Sequence, residues 1–503
     1  MLKYWRYWVL IIVFLLLLIQ GSLLGLSDDE AYYWVLAQRP AWGYAYHPPA
    51  VAWLIAFFQW LFGKGFGTAT AGLVRLPAAL GTMLILGMGF HWLKRLGLRS
   101  EFSGRALGVM LSFAGFFSLA WMMVPDIPLF LGWMILFNAT WSVCFEKKWG
   151  YSSGFLLLGS CLLLLSKYSG ILAIFSSWMC IFLWAPSERK VRSIFFLALG
   201  CLAAAIPIFS WNATHQWASV LYQLRDRHQG SQVSMLRYGK FWLAEMILAG
   251  PILIFYFFNF LGRACSPKVW KVALVRATDR GGLVVPYLSV WILPAAGVFC
   301  IQPLFSDFKL HWAFIVWLPV FLGLAWESQG KAWKWIKIQV VYGFFLGGVV
   351  LLSCHVPLGT LWMNYRWPEH FDPRLDVTND LYGWNQLGEF MRSQWGDEIF
   401  RLPVIGSRYQ TAAQASFSLN QRASVTLLPR DIKERDEWPD LGISDSQGPG
   451  WPALVKSVLY VSDNRYEGAP GFQNADCSKI GKMEKKRADL LIKWIDIWRC
   501  VPR

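Results

Sequence analysis

Through residues 1–355 the chain alternates long apolar stretches with short polar connections. Residues 8–26, 71–93, 106–124, 127–145, 193–211, 241–262, 284–301, 312–326 and 338–355 each run near the length a helix needs to cross a bilayer. Residues 154–184 are too long for one span, and basic segments flank both ends, Lys147-Lys148 and Arg189-Lys190-Val191-Arg192. Two short helices turning at residues 166–170 would return both segments to the same side. Residues 50–62 behave differently: about 13 apolar positions, opened by Pro48-Pro49 and closed by Gly63-Lys64-Gly65, fall short of the roughly 18 expected of a span. If that stretch crossed, the basic loop 94–105 would lie outside, so the pattern predicts a helix lying along the outer surface. About eleven spans result, with the N-terminus in the cytoplasm and the tail outside.

From about residue 356 the pattern becomes that of a soluble unit. Residues 402–405, 423–428 and 454–461 read as buried strands, and 382–394 and 409–419 as helices. The expectation is a membrane domain over 1–355 and an external α/β domain over 356–503, which at about 150 residues is large enough to hold its own core.

Composition agrees with the membrane reading: 56% of the 503 residues are hydrophobic, with 31 Trp and 36 Phe. A net charge of +16 would suggest nucleic acid as partner of a soluble protein. Here the tail is close to neutral and the excess sits in membrane loops, so no nucleic-acid partner is expected. Lys3 and Arg6 lead the first span, and no small-x-small pattern precedes Ser27, so that span reads as a retained anchor. The nine cysteines lie mostly in apolar segments without metal-ligand spacing, and neither metal nor cofactor is expected. Cys477 and Cys500 are the two in the tail, and an oxidising compartment would pair them.

Candidate chemistry begins where the first span ends. Ser27 and Glu30 have the spacing of a capping box, with Asp28 and Asp29 in the first turn of the helix that follows. Acids are favoured at a helix N-terminus, so this can be a solvated cap; it can equally be a reactive group. Topology places Asp28, Asp29, Glu30, His47, Asp126, Lys167, Lys309 and His311 on one face. Carboxylates and cations together suit phosphate-linked chemistry, in which a carboxylate takes the proton of an attacking hydroxyl and a cation neutralises a departing phosphate. Lys167 can instead simply snorkel to headgroups. Arg225, Arg227, His228 and Arg237 lie in an external loop, against the positive-inside rule, where an anionic lipid headgroup or plain solvation would account for them.

The run Asp29-Glu30-Ala31-Tyr32-Tyr33-Trp34, then Tyr46-His47-Pro48-Pro49, Val74-Arg75-Leu76-Pro77, Pro125-Asp126-Ile127-Pro128, Ser166-Lys167-Tyr168 and Trp211-Asn212 resembles the bacterial branch of the protein O-mannosyltransferase and aminoarabinose (lipid A) transferase superfamily. The resemblance covers about the first 320 residues. Asp380-Leu381-Tyr382-Gly383-Trp384 and Arg408-Tyr409-Gln410 in the tail also look like bacterial members. It implies a GT-C fold and a polyprenyl-phosphate sugar as donor substrate, with inversion by direct displacement and no covalent sugar–enzyme intermediate. Asp29 matches the catalytic base and Asp126 the second acid. His47 stands where the aminoarabinose transferases place a phosphate-binding lysine, and Lys167 is the substitute charge. Glu30, Tyr168, Lys309 and His311 complete the expected donor and substrate set, and Arg225 and Arg227 suit a phosphorylated headgroup.

The implied acceptor is an envelope glycolipid, lipid A or core oligosaccharide, with protein as the alternative, at the periplasmic face of a bacterial inner membrane. A lipid-linked-sugar flippase is the rival class. Transporters tend to carry internal repeats and mid-span ionisable residues, whereas here no repeat is visible and the charges gather at helix ends. A ligand sensor would explain the tail but not the acids after the first span.

Overall fold

The computed structural model describes residues 5–66, 70–147, 149–225, 232–268, 270–271, 281–420, 422–427, 437–438, 456–466, 468, 470–472 and 475–503. Its helices run α1 (Trp5–Leu23), α2 (Asp28–Ala37), α3 (Ala50–Phe66), α4 (Ala71–Arg95), α5 (Ser103–Leu111), α6 (Ala114–Leu119), α7 (Asp126–Phe145), α8 (Ser152–Ser166), α9 (Ile171–Trp184), α10 (Ser187–Thr214), α11 (Ala218–Leu224), α12 (Met235–Ala249) and α13 (Pro251–Ala264). Then come α14 (Val284–Phe299), α15 (Phe314–Glu327), α16 (Trp333–His355) and α17 (Leu358–Arg366). The chain is a multi-pass helical membrane protein carrying a small C-terminal sheet unit.

Among the described residues six helices are long and apolar enough to cross a membrane, or eight if each of two bent pairs counts as one span. The other three expected spans are interrupted or short. Residues 106–124 break at Ser112 and Phe113 into α5 and α6, and α8 and α9 are each shorter than a full crossing. The expected span 241–262 is likewise no single helix, since α12 and α13 meet at 111°. Gly250 makes that bend: its φ is +94°, and a side chain there would run into Gln339. Pro251 then opens α13, where its missing N–H is not needed.

Contacts at the two ends of the bundle fix how the loops group. At one end Arg95 pairs with Glu146, Arg189 donates to the Glu146 carbonyl, and Arg105 donates to the Ser328 carbonyl. At the other end Glu30, just after α1, meets Arg75, in the first turns of α4. The chain therefore leaves α1 and enters α4 at the same end, and α3 between them makes no net crossing. Inside the bundle, α7 and α8 approach across Gly132 and Gly159, where an added Cβ would lie 3.3 and 3.2 Å from the facing glycine's carbonyl oxygen. Small residues of this kind let membrane helices pack backbone to backbone.

The tail contributes α18 (Leu387–Trp395), α19 (Tyr409–Leu419) and five strands, β1 (Val404–Gly406), β2 (Val425–Leu427), β3 (Val458–Asp463), β4 (Ala475–Arg487) and β5 (Leu490–Pro502). They form one sheet in the order β2-β1-β3-β5-β4. β1 lies parallel to β2 and β3, while β5 runs antiparallel to both β3 and β4. Three strands match the expected segments, with residues 428 and 454–455 lying outside the described residues. The β4–β5 hairpin was not anticipated. Cys477 and Cys500 stand opposite each other in it and form a disulfide. The sheet unit does not close its core alone. Trp34, Val51 and Ile55 from α2 and α3 belong to the same buried cluster as Leu387, Val404, Ala412 and Ile495.

Candidate active site

Three consecutive acids open α2, and each meets a cation from a different part of the chain. The capping box is present: the Ser27 hydroxyl accepts from the Glu30 amide, and the Ser27 amide donates back to the Glu30 carboxylate. That carboxylate is nonetheless committed elsewhere. Arg75 donates to both its oxygens, at 2.7 and 2.6 Å, and the Met123 amide donates to one of them at 2.9 Å. Arg75 spends its other N–H groups on the carbonyls of Gly21, Leu24 and Gly25, closing the end of α1 onto α4. Glu30 is fully buried and off the cavity wall, so its arrangement is that of a strut and not of a substrate ligand.

Asp28 faces the sheet unit. Arg465, just past β3, donates to it at 2.7 Å, and the same guanidinium binds Asp380 at 2.8 Å and Asp463 at 3.1 Å. Gln414 of α19 adds a bond to Asp28 at 3.0 Å and one to the Leu26 carbonyl at 2.9 Å.

Asp29 opens into a cavity of about 910 Å³ at this end of the bundle, a volume suited to a sizeable ligand. Lys309 lies 4.0 Å from it. Although 45% of the Asp29 side chain is exposed, it is exposed to a deep recess. Burial pushes its carboxyl above the ordinary range, Lys309 pulls against that, Asp28 and Glu30 add to it, and Lys167 pulls down last.

Asp126 begins α7 and is 4% exposed. Lys167, in the turn after α8, donates to both its oxygens at 2.8 Å, and His311 Nε2 stands 3.9 Å away. Lys167, expected at a donor phosphate, lines the cavity with its ammonium seated on Asp126, and Lys309 lies 4.0 Å from Asp29.

Of the residues singled out from sequence, Asp28, Asp29, His47, Asp126, Lys167, Lys309 and His311 line this one cavity. Glu30, Tyr168 and Arg225 do not; the Tyr168 hydroxyl bonds to Ser219 at 2.8 Å. Arg227 and His228 lie outside the described residues. The cavity also takes in Tyr46, Tyr222, Asp307, Asp380, Tyr409 and Gln410, to which no role had been given. Asp380, Tyr409 and Gln410 fall in the two tail motifs noted above, and that was the available signal. Burial, with Asp29 and Asp28 beside it, pushes the Tyr409 phenol up, so it enters the cavity as a neutral hydroxyl. Glu437, buried, accepts from the Tyr32 hydroxyl at 2.5 Å and the Ala45 amide at 2.7 Å, tying α2 to the loop that carries His47.

The membrane helix bundle with its small C-terminal sheet unit has a GT-C fold. The chain is similar to members of the superfamily of the protein O-mannosyltransferases and aminoarabinose transferases. The family described as dolichyl-phosphate-mannose-protein mannosyltransferase matches residues 46–211. Lipid A galacturonosyltransferase RgtD of Rhizobium johnstonii is 22% identical over 415 residues, covering 81% of this chain and 82% of that protein. The fold is shared with ArnT from Cupriavidus metallidurans in the apo state, at TM-score 0.60 and 12% identity over 99% of this chain and 98% of that one. The undecaprenyl-phosphate-bound structure of the same protein matches at TM-score 0.60 and 13% identity, over 98% of each chain.

Proposed function

We propose that this glycosyltransferase moves a sugar from a polyprenyl-phosphate donor to an envelope glycolipid, lipid A or core oligosaccharide, at the periplasmic face of the bacterial inner membrane. The observation that carries the reading is Asp29, which opens into the cavity 4.0 Å from Lys309 and whose carboxyl burial raises above the ordinary range. A relative named for transfer to lipid A and a shared fold with a protein solved on undecaprenyl phosphate support the acceptor and the donor.

In this reading the acceptor hydroxyl gives its proton to Asp29 while its oxygen attacks the anomeric carbon opposite the phosphate. The bond from that carbon to the phosphate oxygen breaks in the same step, inverting the centre and releasing polyprenyl phosphate with its added negative charge. That leaving group is stable without protonation, so no general acid is needed. Lys309 neutralises the phosphate, and His47 and His311 add charge when protonated. Because Lys309 otherwise holds the Asp29 carboxyl down, a phosphate that engages it makes Asp29 more basic once donor is in place. Asp126 keeps Lys167 fixed in the wall.

The match of residues 46–211 to a protein mannosyltransferase family favours a second reading, with the same donor and a protein acceptor. The test is a panel of undecaprenyl phosphates carrying a neutral hexose, a uronic acid or an amino pentose. Each is incubated with the purified full chain and either lipid A or a secreted protein, and the products are read by mass spectrometry. Sugar on lipid A with release of undecaprenyl phosphate is expected; sugar on protein alone selects the second reading. Movement of donor across vesicles without transfer would overturn both. For orientation, a reporter fused after Arg99 should read as cytoplasmic and one after Lys64 as periplasmic.

A further inference from the structure

The tail reaches Asp28 of α2 through Gln414 and through the part-buried guanidinium of Arg465, and the Arg465 contact has no counterpart among the expected site residues. Arg465 is 15% exposed and stands behind the cavity wall, holding Asp28 from α2, Asp380 from the segment after α17 and Asp463 at the end of β3. Asp28 is next to Asp29 in sequence and shares its helix turn. We propose that Arg465 is a positioning residue: by neutralising Asp28 and anchoring the first turn of α2, it makes the placement of the Asp29 carboxylate depend on the seating of the sheet unit. The proposal rests on the reading of Asp29 as the proton acceptor.

The charges around the two groups decide what loss of Arg465 does. Asp29 faces Asp28 and Glu30 on its own helix, Lys309 from the loop before α15, Lys167 from the α8–α9 turn and the Tyr409 phenol of α19. Glu30 is held by Arg75 and Asp126 by Lys167 whether or not Arg465 is present. Without Arg465, Asp28 keeps the Gln414 amide, which carries no charge, and the longer-range attraction of the Lys493 ammonium. Around Arg465 itself stand Asp28, Asp380 and Asp463, with Lys493 of β5 near Asp380. Lys493 donates to the Asp380 carbonyl at 3.4 Å and acts on Asp28 through space, so it offsets the loss of Arg465 only in part. Removing Arg465 thus leaves Asp28, next to Asp29, with most of its compensating charge gone, which disfavours the charged form of its neighbour.

The experiment is the pH profile of kcat/KM for the full chain in detergent, using lipid A and whichever undecaprenyl-phosphate sugar of the panel turns over. In Arg465→Gln the acid limb should move about one pH unit upward, since a single nearby charge shifts a carboxylate by roughly that much. Arg465→Lys should restore most of the wild-type limb. Adding Asp28→Asn to Arg465→Gln should return the limb to its wild-type position, because the uncompensated charge is then gone. A merely structural Arg465 would lower turnover at every pH alike and gain nothing from Asp28→Asn; either result overturns the proposal. If Arg465→Gln does not fold, the double variant and Arg465→Lys still decide, since a displaced limb in the double variant is itself a refutation. Asp29→Asn runs alongside: wild-type turnover there would mean that the reading of Asp29 has failed, independently of Arg465.

Discussion

Two neighbouring acids should give opposite phenotypes. Glu30 receives five hydrogen bonds, from Nε and Nη2 of Arg75, the Met123 amide, and the amide and hydroxyl of Ser27. All five point donors at it, so Glu30→Gln keeps the shape but turns an amide N–H2 toward groups that can only donate or prefer to. It also leaves Arg75, 1% exposed, as a buried cation facing three carbonyls and the Trp121 ring, with no carboxylate. Breaking a buried ion pair from one side costs about 3–5 kcal/mol, and this pair holds the junction of α1, α2 and α4. Glu30→Gln should therefore lose several kcal/mol in reversible unfolding in mixed dodecyl maltoside and SDS micelles. Glu30→Gln with Arg75→Met should recover part of it, because no charge is left stranded. Asp29→Asn, one residue away, should unfold like wild type while transfer falls roughly 10²- to 10⁴-fold, the usual effect of losing a general base. If Glu30→Gln unfolds within about 1 kcal/mol of wild type and loses only activity, the strut assignment is wrong and Glu30 belongs to the reacting groups.

Three further outcomes follow from the same geometry. Burial and the charges of Asp28 and Glu30 hold the Asp29 carboxyl above the ordinary range, so its reactive, deprotonated form is lost as pH falls through that raised value; kcat/KM should decline on an acid limb above pH ~4, and a limb at or below the free-carboxylate value contradicts the assignment. Lys309→Gln should weaken binding of undecaprenyl phosphate, measured by tryptophan quenching, and move the acid limb upward, whereas unchanged binding would return the phosphate to another cation. Cys477→Ser opens a loop of sequence separation 23 and should destabilise the sheet unit by about 3 kcal/mol in the chain-entropy account, and identical unfolding with and without reductant in the wild type would refute it.

Hydropathy and loop charge carry the membrane half of the fold well, because both act over whole segments. They fail where a single residue decides: Gly250, through its positive φ, splits a stretch that hydropathy reads as one span. In the tail the β4–β5 hairpin escaped notice for a local reason. β4 is rich in Lys, and its turn is made by Ala488 and Asp489, both at positive φ, where Asn-Gly would have announced a hairpin. β5 alternates only over a short stretch, Ile495 and Ile497 buried with Asp496 and Trp498 less so, and without a partner strand that pattern had no context. At the site, helix-end bookkeeping was enough to bring Asp29, Asp126 and Lys167 to one face. It could not tell which cation pairs with which acid, since Arg75 and Arg465 reach Glu30 and Asp28 across 45 and several hundred positions of chain, a matter of tertiary packing alone.

The cavity wall is assembled from Ser27 through to Gln410, and the acids on it are braced by Arg465 from further on still. A chain emerging from the ribosome inserts its helices long before it has made that last stretch. Each nascent copy therefore spends most of its synthesis as an embedded bundle without a finished catalytic chamber, and a product truncated before residue 465 would occupy the membrane yet consume no donor.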